Sequence, residues 1–223
     1  MKLRSKKHPG QTWFATLSIY FFGSVILRLF YKIKIEGGEN IPKEGALIVL
    51  AKHQRLNDIP LGCAAFYVKA RRRLWCIMKD SLSNPFLGGY LLKCGGIPID
   101  RKNPEKTKES FTFAKHVLHH NQVLTLFPEQ TFFPWKMGRG KVPGFRVLAG
   151  KPAHPLQVIC VGFEYGKEKW GRTSVTIRIG KVSYFTKEDS PELFLHEKMK
   201  EIASLSNLEY NFPVSTAKEE SEE

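Results

Sequence analysis

The 223-residue sequence is short of acid: 21 Asp and Glu stand against 35 Lys and Arg, a formal charge of +14. Residues 218–223 carry one Lys and four Glu, which leaves about +17 on residues 1–217. An excess of this size favours an anionic partner: nucleic acid, an anionic membrane face or an acidic carrier. Cysteine is also scarce. Cys63, Cys76, Cys94 and Cys160 form no C-x-x-C pair and have no zinc spacing, so a cysteine-built zinc site is excluded. They sit in apolar stretches and read as buried reduced thiols, which suits the cytoplasmic side of a membrane. The one long apolar run is borderline for a membrane span, which needs roughly 20 residues. Internal repeats are absent, and so is any nucleic-acid-binding motif.

What is present fits one domain with an appended element. Residues 11–27 form a largely apolar run of 17 residues without a charge. No small-residue cleavage site follows it, which argues against a signal peptide. Both flanks are basic, which gives a single span no clear orientation. An interfacial or re-entrant helix accounts for both flanks, because Lys and Arg reach headgroups from either end. The sequence therefore divides into a basic segment with a membrane-associating helix (1–35), a globular domain (36–213) and an acidic tail of disordered composition (214–223).

Within the domain, apolar runs at 46–51, 74–78, 97–100, 123–127, 156–163 and 174–179 read as strands. Helices are expected over 59–70, 86–93, 104–120 and 191–205, with a loop over 128–150. Strands alternating with helices imply an α/β fold, a mixed, mostly parallel sheet flanked by helices.

Three strand ends carry chemistry. Residues 51–60, AKHQRLNDIP, place His53 and Asp58 directly after an apolar strand. Histidine is the usual general base near neutral pH, and a carboxylate can fix its tautomer. Alone, the H-x4-D spacing is equally a surface His and a helix-capping Asp. Residues 94–101, CGGIPIDR, bring Arg101, whose planar fork suits phosphate. Residues 126–131, LFPEQT, bring Glu129 behind Pro128. All three can lie at one end of one sheet. His116, His119 and His120 lie near a helix end, where histidines also suit the macrodipole without any metal.

In this order the blocks resemble the glycerolipid acyltransferases typified by the 1-acylglycerol-3-phosphate acyltransferases, over roughly residues 36–165. The fourth block of the resemblance is 151–156, KPAHPL. The resemblance implies transfer of a fatty acyl group from an acyl-CoA or acyl-carrier-protein thioester to the free hydroxyl of a lysophospholipid. It implies His53 as general base and Asp58 as its orienting partner. Arg101 would bind the acceptor phosphate and Glu129 would help place the glycerol, with Gly96 and Thr131 of the same blocks in substrate binding. No metal or organic cofactor is implied, and the expected partners are membrane lipid and an anionic membrane surface rather than nucleic acid. Three positions depart from the pattern: Lys52 replaces an Asn, Gln130 a Gly and Phe132 an Arg. Arg139 or Lys141 could supply the missing cation. A rival route through a Cys94 acyl-enzyme needs an exposed, activated thiol beside a histidine.

Overall fold

The structure is a computed structural model that describes residues 8–82, 88–100, 103–169 and 171–214. A single sheet runs β1 (Tyr31–Glu36), β7 (Arg172–Ile179), β6 (Leu156–Lys169), β2 (Leu47–Ala51), β5 (Val123–Leu126), β3 (Leu74–Lys79), β4 (Gly96–Ile99). Strands β6, β2, β5, β3 and β4 are mutually parallel. The far edge of β6 pairs antiparallel first with β8 (Ser183–Phe185), then with β7, and β1 pairs parallel to β7. The expected α/β class and the mixed, mostly parallel sheet are thus found.

Central strand β2 shows why the sheet has helices on both faces. All five of its residues are buried, as a strand covered on both sides requires. Ile48 and Leu50 point to a core with Phe113 and Val117 of α4 (Pro104–His119), Phe145 of α5 (Val142–Ala149) and Met199 of α6 (Pro191–Leu205). Leu47, Val49 and Ala51 point the other way, onto Leu61 and Phe66 of α2 (Asp58–Ala70) and Ile19 of α1 (Trp13–Ser24). The two sets alternate because successive strand side chains face opposite sides.

Helix α1 packs on α2 and on α3 (Gly88–Cys94). The approach to α2 is close: a Cβ at Gly23 would fall 2.0 Å from the Pro60 carbonyl oxygen. Its 12 residues extend about 18 Å, well short of the roughly 30 Å hydrocarbon layer. Among the described residues no helix is long and apolar enough to cross a membrane.

Four expectations change. The boundary at residue 35 falls inside β1, because Tyr31, Ile33 and Ile35 pair with β7 and complete the sheet edge. The N-terminal segment is therefore built into the domain. The 128–150 loop holds helix α5, whose Pro143 sits in a first turn where its missing N–H costs nothing. Strand β8 had no expected counterpart, and β6 runs six residues past its expected end at 163. Of the basic 71–73 stretch, Arg72 is turned inward and donates to the carbonyls of Pro42, Gly45 and Asn121. The expected helix over 86–93 is described from Gly88 onward, and the tail beyond Val214 lies outside the described residues.

Candidate active site

The parallel strands bring the ends of β2, β5 and β4 to one edge of the sheet. From β2 the chain makes a short loop and enters α2 at Asp58. The Asp58 carboxylate turns back into that loop, where its Oδ2 accepts the N–H of Gln54 at 2.6 Å and of Arg55 at 2.8 Å. The same oxygen lies 3.4 Å from His53 Nδ1. The H-x4-D spacing is thus the length of a loop wrapped around one buried carboxylate. Asp58 Oδ1 accepts the Tyr165 hydroxyl, delivered by the part of β6 that runs past its pairing with β2 and stays paired with β7.

His53 is held on its faces as well. Its ring stacks on Phe127 at a centroid distance of 4.1 Å and lies under Phe132 at 4.0 Å. The side chain keeps 12% of its surface exposed. Nδ1 faces Asp58, and no described residue hydrogen-bonds Nε2. The imidazole is therefore oriented, with one nitrogen available to a reactant.

Behind it lies a buried ion pair. Lys52 Nζ donates to Glu129 at 2.8 and 2.7 Å, and both side chains are essentially inaccessible. Glu129 also accepts the N–H of His53 at 3.2 Å and of Gly138 at 2.5 Å. Lys52 further donates to the carbonyls of His53 and Phe133. Burial pulls the Lys52 pKa down and pushes the Glu129 pKa up, each opposed by the partner's charge. The pair ties the loop after β5 to the loop after β2. Two more bonds do the same: Phe133 N–H to the His53 carbonyl at 3.1 Å and Trp135 N–H to Gln54 Oε1 at 3.0 Å.

A family model for acyltransferases matches residues 32–147, more than half the chain and all of the His53, Asp58 and Glu129 segments. The chain belongs to the acyltransferase family. Its fold is similar to the crystal structure of the 1-acyl-sn-glycerophosphate (LPA) acyltransferase PlsC from Thermotoga maritima. That match has a TM-score of 0.61 and 24% identity, and covers 85% of this chain and 77% of the other. A comparison with curated proteins gives no match.

The expected site residues of this acyltransferase fall into three groups. His53 and Asp58 meet. Glu129 joins them from behind, with its carboxylate committed to Lys52 and two backbone N–H groups. Thr131 is exposed on the adjoining loop, and Arg101 lies outside the described residues. Gly96 is at the other end of its strand: it opens β4, whereas Ile99 closes it. It is buried, a Cβ there would fall 2.6 Å from Met78 Sδ, and its carbonyl faces the His8 ring at 2.8 Å. Close packing alone suffices to require a glycine at 96. The 151–156 block likewise enters β6 at the amino end of the sheet, away from His53.

An apolar pocket opens beside the Asp58 carboxylate, between the sheet and α2. It is small, about 20 Å³ or room for one water-sized sphere, and is lined by Val49, Ile59, Gly62, Phe66, Phe127 and Phe163. The thiol route has no such support. Cys94 is buried, its thiol faces the Ala15 carbonyl, and burial pushes its pKa up to about 11. No group of three or more possible metal ligands occurs among the described residues. Tyr165 was invisible in the sequence, because its place depends on the pairing of β6 with β2, more than a hundred residues from His53.

Proposed function

We propose that this acyltransferase moves a fatty acyl group from an acyl thioester to the free hydroxyl of a lysophospholipid, with 1-acylglycerol 3-phosphate as the leading acceptor. The supporting observation is the His53 imidazole, oriented by Asp58 through Nδ1 and open at Nε2. Nε2 takes the hydroxyl proton as the acceptor oxygen attacks the thioester carbonyl. The tetrahedral adduct collapses, the C–S bond breaks, and the imidazolium returns its proton to the departing thiolate. Asp58 stabilises the imidazolium in between, as a carboxylate does in a Ser-His-Asp triad. The attacking oxygen belongs to the substrate, so no serine is needed. Glu129 and Lys52 act on His53 only by fixing its backbone.

The reaction takes place at a membrane surface. The outer side of α1 and the turn after it expose Trp13 (71%), Phe14 (80%), Phe21, Phe22, Val25, Leu29 and Phe30. A contiguous aromatic face of this kind suits an interface, and exposed Arg28 and Lys32 beside it suit anionic headgroups. The face ends next to the site: Gly23 abuts Pro60 of α2, and Asn57 donates to the Tyr31 hydroxyl at 3.0 Å. A lipid acceptor could thus reach His53 without leaving the interface. Phe132, in the place of a familiar cation, supports a second reading in which the acceptor is another lyso-lipid. A panel of lysophospholipids in vesicles, with acyl-CoA and acyl-carrier protein as donors and released thiol as readout, tests both. Thiol release with lysophosphatidate above the other acceptors is expected, and none with any lysophospholipid overturns the reading.

A further inference from the structure

The loop that carries His53 and Asp58 also carries an arginine that no sequence expectation used. The Arg55 guanidinium carbon sits 4.3 Å from the centre of the Tyr165 ring and 5.1 Å from that of Trp135. The Tyr165 ring is anchored by its hydroxyl, which donates to Asp58, and the Trp135 backbone is held by its N–H, which donates to Gln54. The Arg55 backbone N–H is bound to Asp58 as well. Yet no oxygen of the described residues accepts from its guanidinium. Arg72, Arg146, Arg172 and Arg178 all donate to a protein carbonyl or carboxylate. A cation held by its faces, with its N–H edges unspent, is prepared for a planar bidentate contact with an oxyanion. Its side-chain entropy is already restricted, which lowers the cost of binding.

We propose that Arg55 binds the phosphate of the acceptor lipid. The inference rests on the lysophospholipid reading above and names the residue that recognises its headgroup. The geometry of the acceptor requires such a group close to the base. In 1-acylglycerol 3-phosphate the phosphorus is three bonds from the carbon whose hydroxyl attacks the thioester. The end of β4, which Arg101 follows, is three strand spacings or roughly 14 Å from β2. Arg55 is in the same loop as His53. Phe132 removes a cation from the loop after β5, and Arg55 supplies one from the loop after β2.

The test uses full-length protein with Arg55→Met and Arg55→Lys. Steady-state KM is measured for 1-acylglycerol 3-phosphate, for uncharged monoacylglycerol and for the thioester. Losing the fork should raise the acceptor KM ratio, phosphate-bearing over uncharged, roughly 10- to 100-fold for Arg55→Met, with a smaller rise for Arg55→Lys. An unchanged ratio overturns the proposal. So does a rise in thioester KM alone, which would assign the anion to the donor. A readout without turnover separates this proposal from the lysophospholipid reading. Trp135 is 57% exposed over the guanidinium, so tryptophan fluorescence is titrated with lysophosphatidate micelles and with inorganic phosphate. A saturable change with the lipid in wild type, absent in Arg55→Met, supports the proposal even if no acyl transfer is found. Equal titrations in the two proteins refute it. A change with inorganic phosphate at the same affinity would assign the site to free phosphate and also refute it.

Discussion

Lys52 Nζ lies 2.7 Å from Glu129 Oε2 with both side chains removed from solvent. Removing one member of such a pair strands the other charge in a low-dielectric interior, which costs about 3–5 kcal/mol. Lys52→Met should therefore destabilise the fold by about that amount. The double variant Lys52→Met with Glu129→Gln keeps an acceptor for the N–H groups of His53 and Gly138 and leaves no lone charge. It should be more stable than Lys52→Met in urea unfolding. A double variant that is the additive sum of two losses would show that the charges do not act as a pair.

Gln130 sits in the left-handed region, at φ 61°. A side chain there crowds its own backbone by about 1 kcal/mol, and glycine escapes the penalty. Gln130→Gly should raise the melting temperature by about 2–4 °C for a chain of this size. Calorimetry of the two proteins decides it, and a lower melting temperature would mean that the Gln130 side chain makes a stabilising contact of its own. Trp135, at φ 63°, has the same backbone but holds Arg55 with its ring.

The exposed side of α1 contributes little to the core, so its rings can be replaced with little cost in stability. Phe14→Ser with Phe21→Ser should reduce flotation with anionic liposomes at least about tenfold, since each ring loses its burial in lipid. Melting temperature should hardly move. Unchanged flotation would remove α1 from the membrane contact.

His8 gives the N-terminal segment a pH dependence. Its ring stacks on Phe113, its Nε2 faces the Gly96 carbonyl, and its Nδ1 accepts the Gly10 N–H at 3.0 Å. The neutral ring with hydrogen on Nε2 satisfies both contacts, and burial holds its pKa below the usual 6.5. The folded pKa is thus below the unfolded one. The contribution of His8 to stability is complete above pH 6.5 and is lost as pH falls below that value. Unfolding free energies between pH 7.5 and 5 should fall more steeply for wild type than for His8→Phe. Parallel curves would refute it.

Much of this was legible in sequence, and the reason is local. The ends of β2 and β5 show as apolar runs that stop at polar residues, and the His53–Asp58 loop is contiguous. Strand β1 was hidden because Leu29 and Phe30 carry the N-terminal apolar stretch past Arg28 and up to its first residue. Helix α5 was masked by Pro143, Gly144 and Gly150. Tyr165 and the Lys52–Glu129 pair could not be read, since each depends on strand register and on loops that meet only in the folded chain. The close packing of Gly96 against Met78 was not legible, since a glycine required by packing looks the same in sequence as one required by a ligand.

The central claim is that His53 takes the acceptor proton. The most direct measurement is single-turnover acyl transfer by His53→Ala on lysophosphatidate vesicles, with flotation and melting temperature confirming that the protein folds and reaches its substrate. A fall in rate of about 10²- to 10⁴-fold with binding retained is the predicted result. Near wild-type transfer by the folded variant would contradict it.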